Sequence, residues 1–173
     1  MAPVSKTLLF TTLLLASQAG KAAEFHFSIG GGFPYLAVPE VSLANGDSQR
    51  WYANYKLGVD DGFSLGFEQG LGEDDHHALG LFAGAVGIRH NDPDICKEPS
   101  SGDLGQDLGN ALSCAYASGF SWETVNGVGL SYSYNRHGLN QRGFRIRFEF
   151  GYGEGHRSHN KKAAGNLMFS YQF

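Results

Sequence analysis

Cysteine, methionine and proline are all scarce in this chain, with two, two and five among 173 residues. Two cysteines, Cys96 and Cys114, cannot form the paired C-x-x-C motifs of a structural zinc site, and they allow at most one disulfide. After residue 23 no apolar run approaches the ~18–20 residues that a membrane-spanning helix requires. Basic excess is missing too: 13 Lys and Arg stand against 17 Asp and Glu, so no basic face is available for nucleic acid. Nor is there a phosphate loop, because no helix follows Gly30-Gly31-Gly32; that triplet reads as a strand bend or a close approach of backbones. What the chain has in quantity is glycine, at 25 residues, and aromatic side chains, at 13%. That mixture suits strands and tight turns.

Residues 1–23 have the three-part layout of a secretory leader. Lys6 precedes the apolar run Leu8–Ala16, and small residues lead to Ala19, Ala22 and Ala23. The expected mature chain, residues 24–173, is then about 150 residues, one domain with a sizeable core. Export to an oxidising compartment favours a Cys96–Cys114 disulfide stapling a long polar loop over 89–114.

From Glu24 onward the sequence alternates apolar and polar residues in short runs. Phe25, Phe27 and Ile29 begin it. Trp51, Ala53, Tyr55 and Leu57 then oppose Tyr52, Asn54 and Lys56, and Val59-Asp60-Asp61-Gly62 reads as a hairpin turn. Phe63, Leu65 and Phe67 oppose Ser64, Gly66 and Glu68. The stretch 77–88 is apolar and small throughout. Phe120 and Trp122 lie opposite Ser121 and Glu123, Asn126-Gly127 reads as a second tight hairpin, and Val128, Leu130, Tyr132 and Tyr134 follow. The clearest run sets Phe144, Ile146, Phe148, Phe150 and Tyr152 against Arg145, Arg147 and Glu149. Leu167, Phe169, Tyr171 and Phe173 end the chain. These runs give eight strands. The stretch 35–44, which contains Val38, Val41 and Leu43 but also Pro39, stays outside the count, since it would make nine strands and no tenth is found, and a hairpin at Asn126-Gly127 leaves the long loop on the same side as the termini.

Such alternation also fits a soluble sandwich. Three features favour an all-β, antiparallel, up-and-down transmembrane barrel: a strongly aromatic apolar face, aromatics gathered near strand ends, and an opposite face mixing small and charged residues. An exported chain without a membrane helix can enter a bilayer only as a closed barrel, where every backbone polar group is paired. The final strand resembles the C-terminal signature of bacterial outer-membrane β-barrels, with Leu167, Phe169, Tyr171 and Phe173 in its alternating positions. The resemblance implies an outer-membrane location, recognition by the barrel-assembly machinery, and contact with outer-membrane lipid and lipopolysaccharide. A monomer is expected, with a structural, envelope or surface-interaction role carried by loops.

An eight-stranded barrel is filled by its own side chains. The inward list, Lys56, Arg145 and Arg147 against Glu68, Glu123 and Glu149, predicts a self-paired ionic plug rather than the single-sign ring of a narrow, ion-selective pore. A lipid-modifying enzyme is the alternative. Residues 132–139 resemble the His-x-Ser-Asn-x-Gly-Leu stretch of lipid A 3-O-deacylases, but aligned on Gly138-Leu139 they place Ser133 and Asn135 where the family has His and Ser. Ser133 and His137 are the catalytic candidates, and about 13 Å of extended strand separates them. Glu73–His77, with His156 and His159, offers oxygen and imidazole groups but no fixed ligand spacing; no metal and no cofactor are expected. The basic segment 156–162 is suited to lipopolysaccharide phosphates if it lies outside the membrane.

Overall fold

The structure is a computed structural model that describes residues 24–90, 104–119 and 122–173; the expected leader, Cys96 and Phe120 lie outside them. Eight strands follow one another around a closed ring: β1 (Glu24–Phe33), β2 (Val38–Ala44), β3 (Gln49–Lys56), β4 (Gly62–Leu71), β5 (His77–His90), β6 (Trp122–Asn135), β7 (Gly143–Gly155) and β8 (Lys161–Gln172). Each is antiparallel to its neighbours, and β1 closes on β8 from Ser28↔Gln172 to Phe33↔Leu167. One helix, α1 (Leu104–Gly119), lies in the β5–β6 connection. The fold is the all-β, eight-stranded up-and-down barrel that the alternation predicts.

The count of eight holds although two expected features differ. The stretch with Pro39 is a strand, β2. Ala37 exchanges both backbone hydrogen bonds with Leu57, so two residues on the missing N–H of Pro39 also faces β3. The β2–β3 ladder begins only at Glu40↔Asn54, and the proline sits in the gap. Conversely, Asn126-Gly127 is no hairpin. Both residues run through the middle of β6, paired with Ala85 and Gly84 on one side and with Glu154 and Gly153 on the other. Neither has the positive φ that a type I′ turn demands. Gly127 serves a close approach instead, since a Cβ there would strike the backbone of Tyr152 and Gly153. Gly30-Gly31-Gly32 does the same, pressing β1 against the backbone of β8 and of Leu36.

Following the register from Ser28 through each strand to Lys162 returns to the line of β1 about ten residues further along, a stagger that tilts the strands by about 40°. At one end, the near end, lie the start of β1, the end of β8 and the short turns 45–48, 72–76 and 136–142. The far end carries 34–37, 57–61 and 156–160, and the strand ends His90 and Trp122 between which the long connection runs. That connection therefore leaves and re-enters the barrel at the end opposite the termini. It is not a plain polar loop either: Leu104, Leu108 and Leu112 recur at helical spacing in α1, with Asp107 in its first turn.

Polarity is inverted across the wall. Phe25, Trp51, Leu65, Leu81, Leu130, Phe148 and Phe169 are exposed on the outside, and their strand neighbours Ser28, Glu40, Arg50, Glu68, Ser131, Arg147 and Gln172 are buried inside. Among the described residues, apolar side chains in the interior form two small clusters, Tyr52 with Phe82, Val86, Val125 and Ala164, and Tyr35 with Val38, Ile88 and Met168.

Candidate functional site

Tilted strands with two-residue periodicity aim the charged residues of β2, β3, β4 and β7 at one axis. Arg147 stands at the centre. Its Nη1 lies 2.6 Å from Glu40 Oε2 and 3.8 Å from Glu149 Oε1, its Nε 2.9 Å from Glu68 Oε1, and its guanidinium 3.9 Å above the Tyr52 ring. Arg145 Nη2 donates to Glu40 at 2.7 Å and to Ser28 Oγ at 2.9 Å. Arg50 is bound to Glu68 and donates to the Leu139 carbonyl and to Gln172 Oε1. Lys56 Nζ lies 2.6 Å from Glu149 Oε2 and 2.5 Å from the Ala85 carbonyl. Such pairs return about what their desolvation costs, so their effect is to fix packing and register.

All six charged residues of the inward list are buried, but they are not one cluster. Lys56, Glu68, Arg145, Arg147 and Glu149 share the network. Glu123 is at the far end, where its carboxylate accepts from the Arg157 and Ser158 amides, the Ser158 hydroxyl and Lys162 Nζ at 2.6–3.1 Å. Two network members were not on that list. Arg50 shares the parity of Tyr52, Asn54 and Lys56, which could have revealed it. Glu40 shares the parity of Ser42, but only once β2 is accepted as a strand.

Both mouths are closed. At the near end the turn 136–142 folds inward: Leu139 is buried, and Asn140 Nδ2 donates to the carbonyls of Gly46, Asp47 and Gln49. At the far end a bulge between Ala85 and Gly87 turns the top of the β5–β6 hairpin across the opening to β8. Asn166 Nδ2 donates to the Val86 carbonyl, and Arg89 Nε to the Ala163 carbonyl. The Thr124 amide donates to Asp60 Oδ2, and the His156 amide to the Thr124 carbonyl. Tyr35 is sealed beneath this cover, where burial pushes its phenol above the ordinary value. Between the mouths, a cavity of about 10 Å³ beside Arg145 and Met168 is the size of one water molecule, too small for an organic substrate.

The catalytic candidates are not brought together. Ser133 is buried in the lumen and accepts from Asn135 Nδ2, while His137 is exposed on the near-end turn with Nδ1 3.0 Å from the Arg142 carbonyl. Three of the four candidate imidazoles have protein partners: His76 the Asn135 carbonyl, His77 the Tyr132 hydroxyl, His159 Glu154. Among the described residues no group of three His, Cys, Asp or Glu side chains is placed to hold a metal ion. Cys114 lies on α1, so the expected pairing with Cys96 falls partly outside the described residues.

The Glu123 clasp is directly testable. Glu123→Gln keeps the size of the side chain but removes the charge that holds four donors, and hydrogen bonds to a charged group contribute about 1.5–3 kcal/mol. Amide hydrogen exchange at Arg157 and Ser158 is expected to quicken by about tenfold or more, while exchange in β1 and β2 stays as it was. Unchanged rates at both turn amides would remove the clasp.

Comparison of the chain with protein-family models, with curated proteins and with solved structures gives no match. Its class therefore rests on its own geometry: a closed antiparallel barrel of eight strands, with a charged interior and an apolar outer wall.

Proposed function

We propose that this chain is an integral β-barrel of a Gram-negative outer membrane, exported on the leader 1–23, with a structural or surface-interaction role carried by its far-end connections. The inverted polarity carries this reading. A continuous outer wall of Phe, Leu, Val and Trp far exceeds the apolar patches that soluble monomers tolerate, whereas a bilayer is a matching solvent and a closed ring leaves no strand edge unpaired. Exposed rings near both ends supply interfacial girdles: Tyr132, Tyr134 and Phe144 at the near end, Tyr55, Trp122 and Tyr152 at the far end. With the termini in the periplasm, the α1 connection faces outward, as long loops of this class do. A Cys96–Cys114 disulfide would staple that connection, and the segment 156–162 would meet lipopolysaccharide phosphates. The alternating final strand supports handling by the barrel-assembly machinery.

A filled lumen speaks against an open pore, and the separation of Ser133 from His137 against a deacylase-type esterase. Expressed with its leader in a Gram-negative host, the protein is expected in the outer-membrane fraction. On a gel it is expected to migrate differently with and without boiling, because the barrel resists detergent until heated. Recovery as a soluble periplasmic protein with one heat-independent band would overturn the proposal.

A further inference from the structure

The charges of the central network do not balance. Among the described residues, Arg50, Lys56, Arg145 and Arg147 face only Glu40, Glu68 and Glu149, and all seven are at most 3% exposed. The fourth buried carboxylate, Glu123, is committed to Lys162 and the turn after β7. One positive charge is left over in a space closed at both mouths, where an uncompensated charge is strongly unfavourable.

The surplus lies beside a cavity of suitable size and chemistry. Arg145, Arg147, Glu40, Ser170, Val38 and Met168 help to enclose about 10 Å³, enough for one small monatomic species and too little for an oxyanion. Arg145 lines this cavity, and its Nη1 is buried without a hydrogen-bond partner, whereas its Nη2 and Nε are engaged by Glu40, Ser28 and Ser170. Ser170 Oγ accepts from Arg145 Nε, which leaves its own O–H free to donate. Glu40 is the carboxylate on this wall, and both its oxygens already accept from the arginines, with Ser28 and Asn54 adding to them. Two free donors, two guanidinium groups and a saturated carboxylate suit an anion and repel a cation. A water molecule would satisfy the donors but not the charge.

We propose that this cavity binds one monatomic anion of the chloride type, held by Arg145 Nη1 and the Ser170 hydroxyl as the counter-ion of the arginine cluster. The proposal does not rest on the membrane reading, since the lumen is enclosed whatever surrounds the wall.

The test uses the full folded chain, in detergent or in whatever medium keeps it dispersed, unfolded by heat in sodium chloride, bromide or gluconate at equal ionic strength. Gluconate is too large for the cavity. Both halides are expected to raise the midpoint by about 3–6 °C over gluconate. Generic salt effects run the other way, because weakly hydrated halides stabilise folded chains less than strongly hydrated anions do. Ser170→Ala keeps every network charge and is expected to weaken the apparent bromide affinity several-fold. Arg145→Met removes both donor and surplus charge, and is expected to abolish the halide dependence; should that variant fail to fold, Ser170→Ala decides alone. Crystals grown in bromide are expected to show an anomalous peak beside Nη1. Equal midpoints in the three salts, a bromide response untouched by Ser170→Ala, or no anomalous peak would overturn the site and leave the cavity to water.

Discussion

Replacing Glu40 with glutamine is expected to destabilise the barrel by about 3–5 kcal/mol, the usual consequence of removing one partner from a buried ion pair. The effect is large against a total of ~5–15 kcal/mol for a folded domain, because Glu40 is held by two guanidinium groups at once. Arg145 lies 2.7 Å from Oε1 and Arg147 2.6 Å from Oε2. Glutamine keeps the shape but presents an NH₂ group to one of those arginines, and the surplus of positive charge in the lumen grows. The urea midpoint of the refolded protein is the measurement. Adding Arg145→Met to Glu40→Gln is expected to recover part of the loss, since the charges are coupled through direct contact. A Glu40→Gln shift below about 1 kcal/mol, with no coupling to Arg145, would show that the network is held by shape rather than by charge.

The second large effect concerns the outside of the wall. Leu130 is 64% exposed in the middle of β6, flanked by Leu81 on β5 and Phe150 on β7. On the membrane reading this position lies deep in hydrocarbon, and Leu130→Arg is expected to cost about 2–4 kcal/mol of folding in lipid. In a soluble protein the same change at so exposed a position would fall within about 0.5 kcal/mol. Ser131, the adjacent residue, points inward, so the effect is specific to one face. Urea titration of the refolded variant in lipid vesicles separates the two outcomes, and a cost near zero would count against a bilayer around this wall.

The strands with strict alternation were legible because one face of each is apolar and the other is not; β7 can be read residue by residue from 144 to 152. Legibility failed where backbone chemistry and sequence pattern point different ways. Pro39 reads as a strand breaker, yet its lost N–H faces an existing gap in the β2–β3 ladder, so the strand tolerates it and Glu40 is carried into the lumen. Asn126-Gly127 reads as a turn, yet tertiary pairing on both sides holds it extended, and the glycine is needed for its lack of a Cβ. Those two misreadings change the count by one in opposite directions, which is why eight came out correctly while the long connection was expected at the wrong end. Glu123 alternates like a network member, but its partners are a turn more than 30 residues away in sequence. The closure of both mouths was not legible, since it depends on a bulge and on turns folding inward rather than on periodicity.

The β1–β8 ladder has one more meaning. It joins residues about 140 positions apart, while every other ladder joins neighbours in sequence, so its formation bears the greatest loop-closure entropy of the ring. Until it forms, seven completed ladders still amount to an open sheet with two bare edges. The last residue of the sequence completes the seam: the Phe173 amide donates to the Phe27 carbonyl at 2.9 Å, and its ring stacks on Phe27 at 6.1 Å. Phe173 thus works as the buckle of a belt, an aromatic contact and one hydrogen bond added where the circle is most expensive to close.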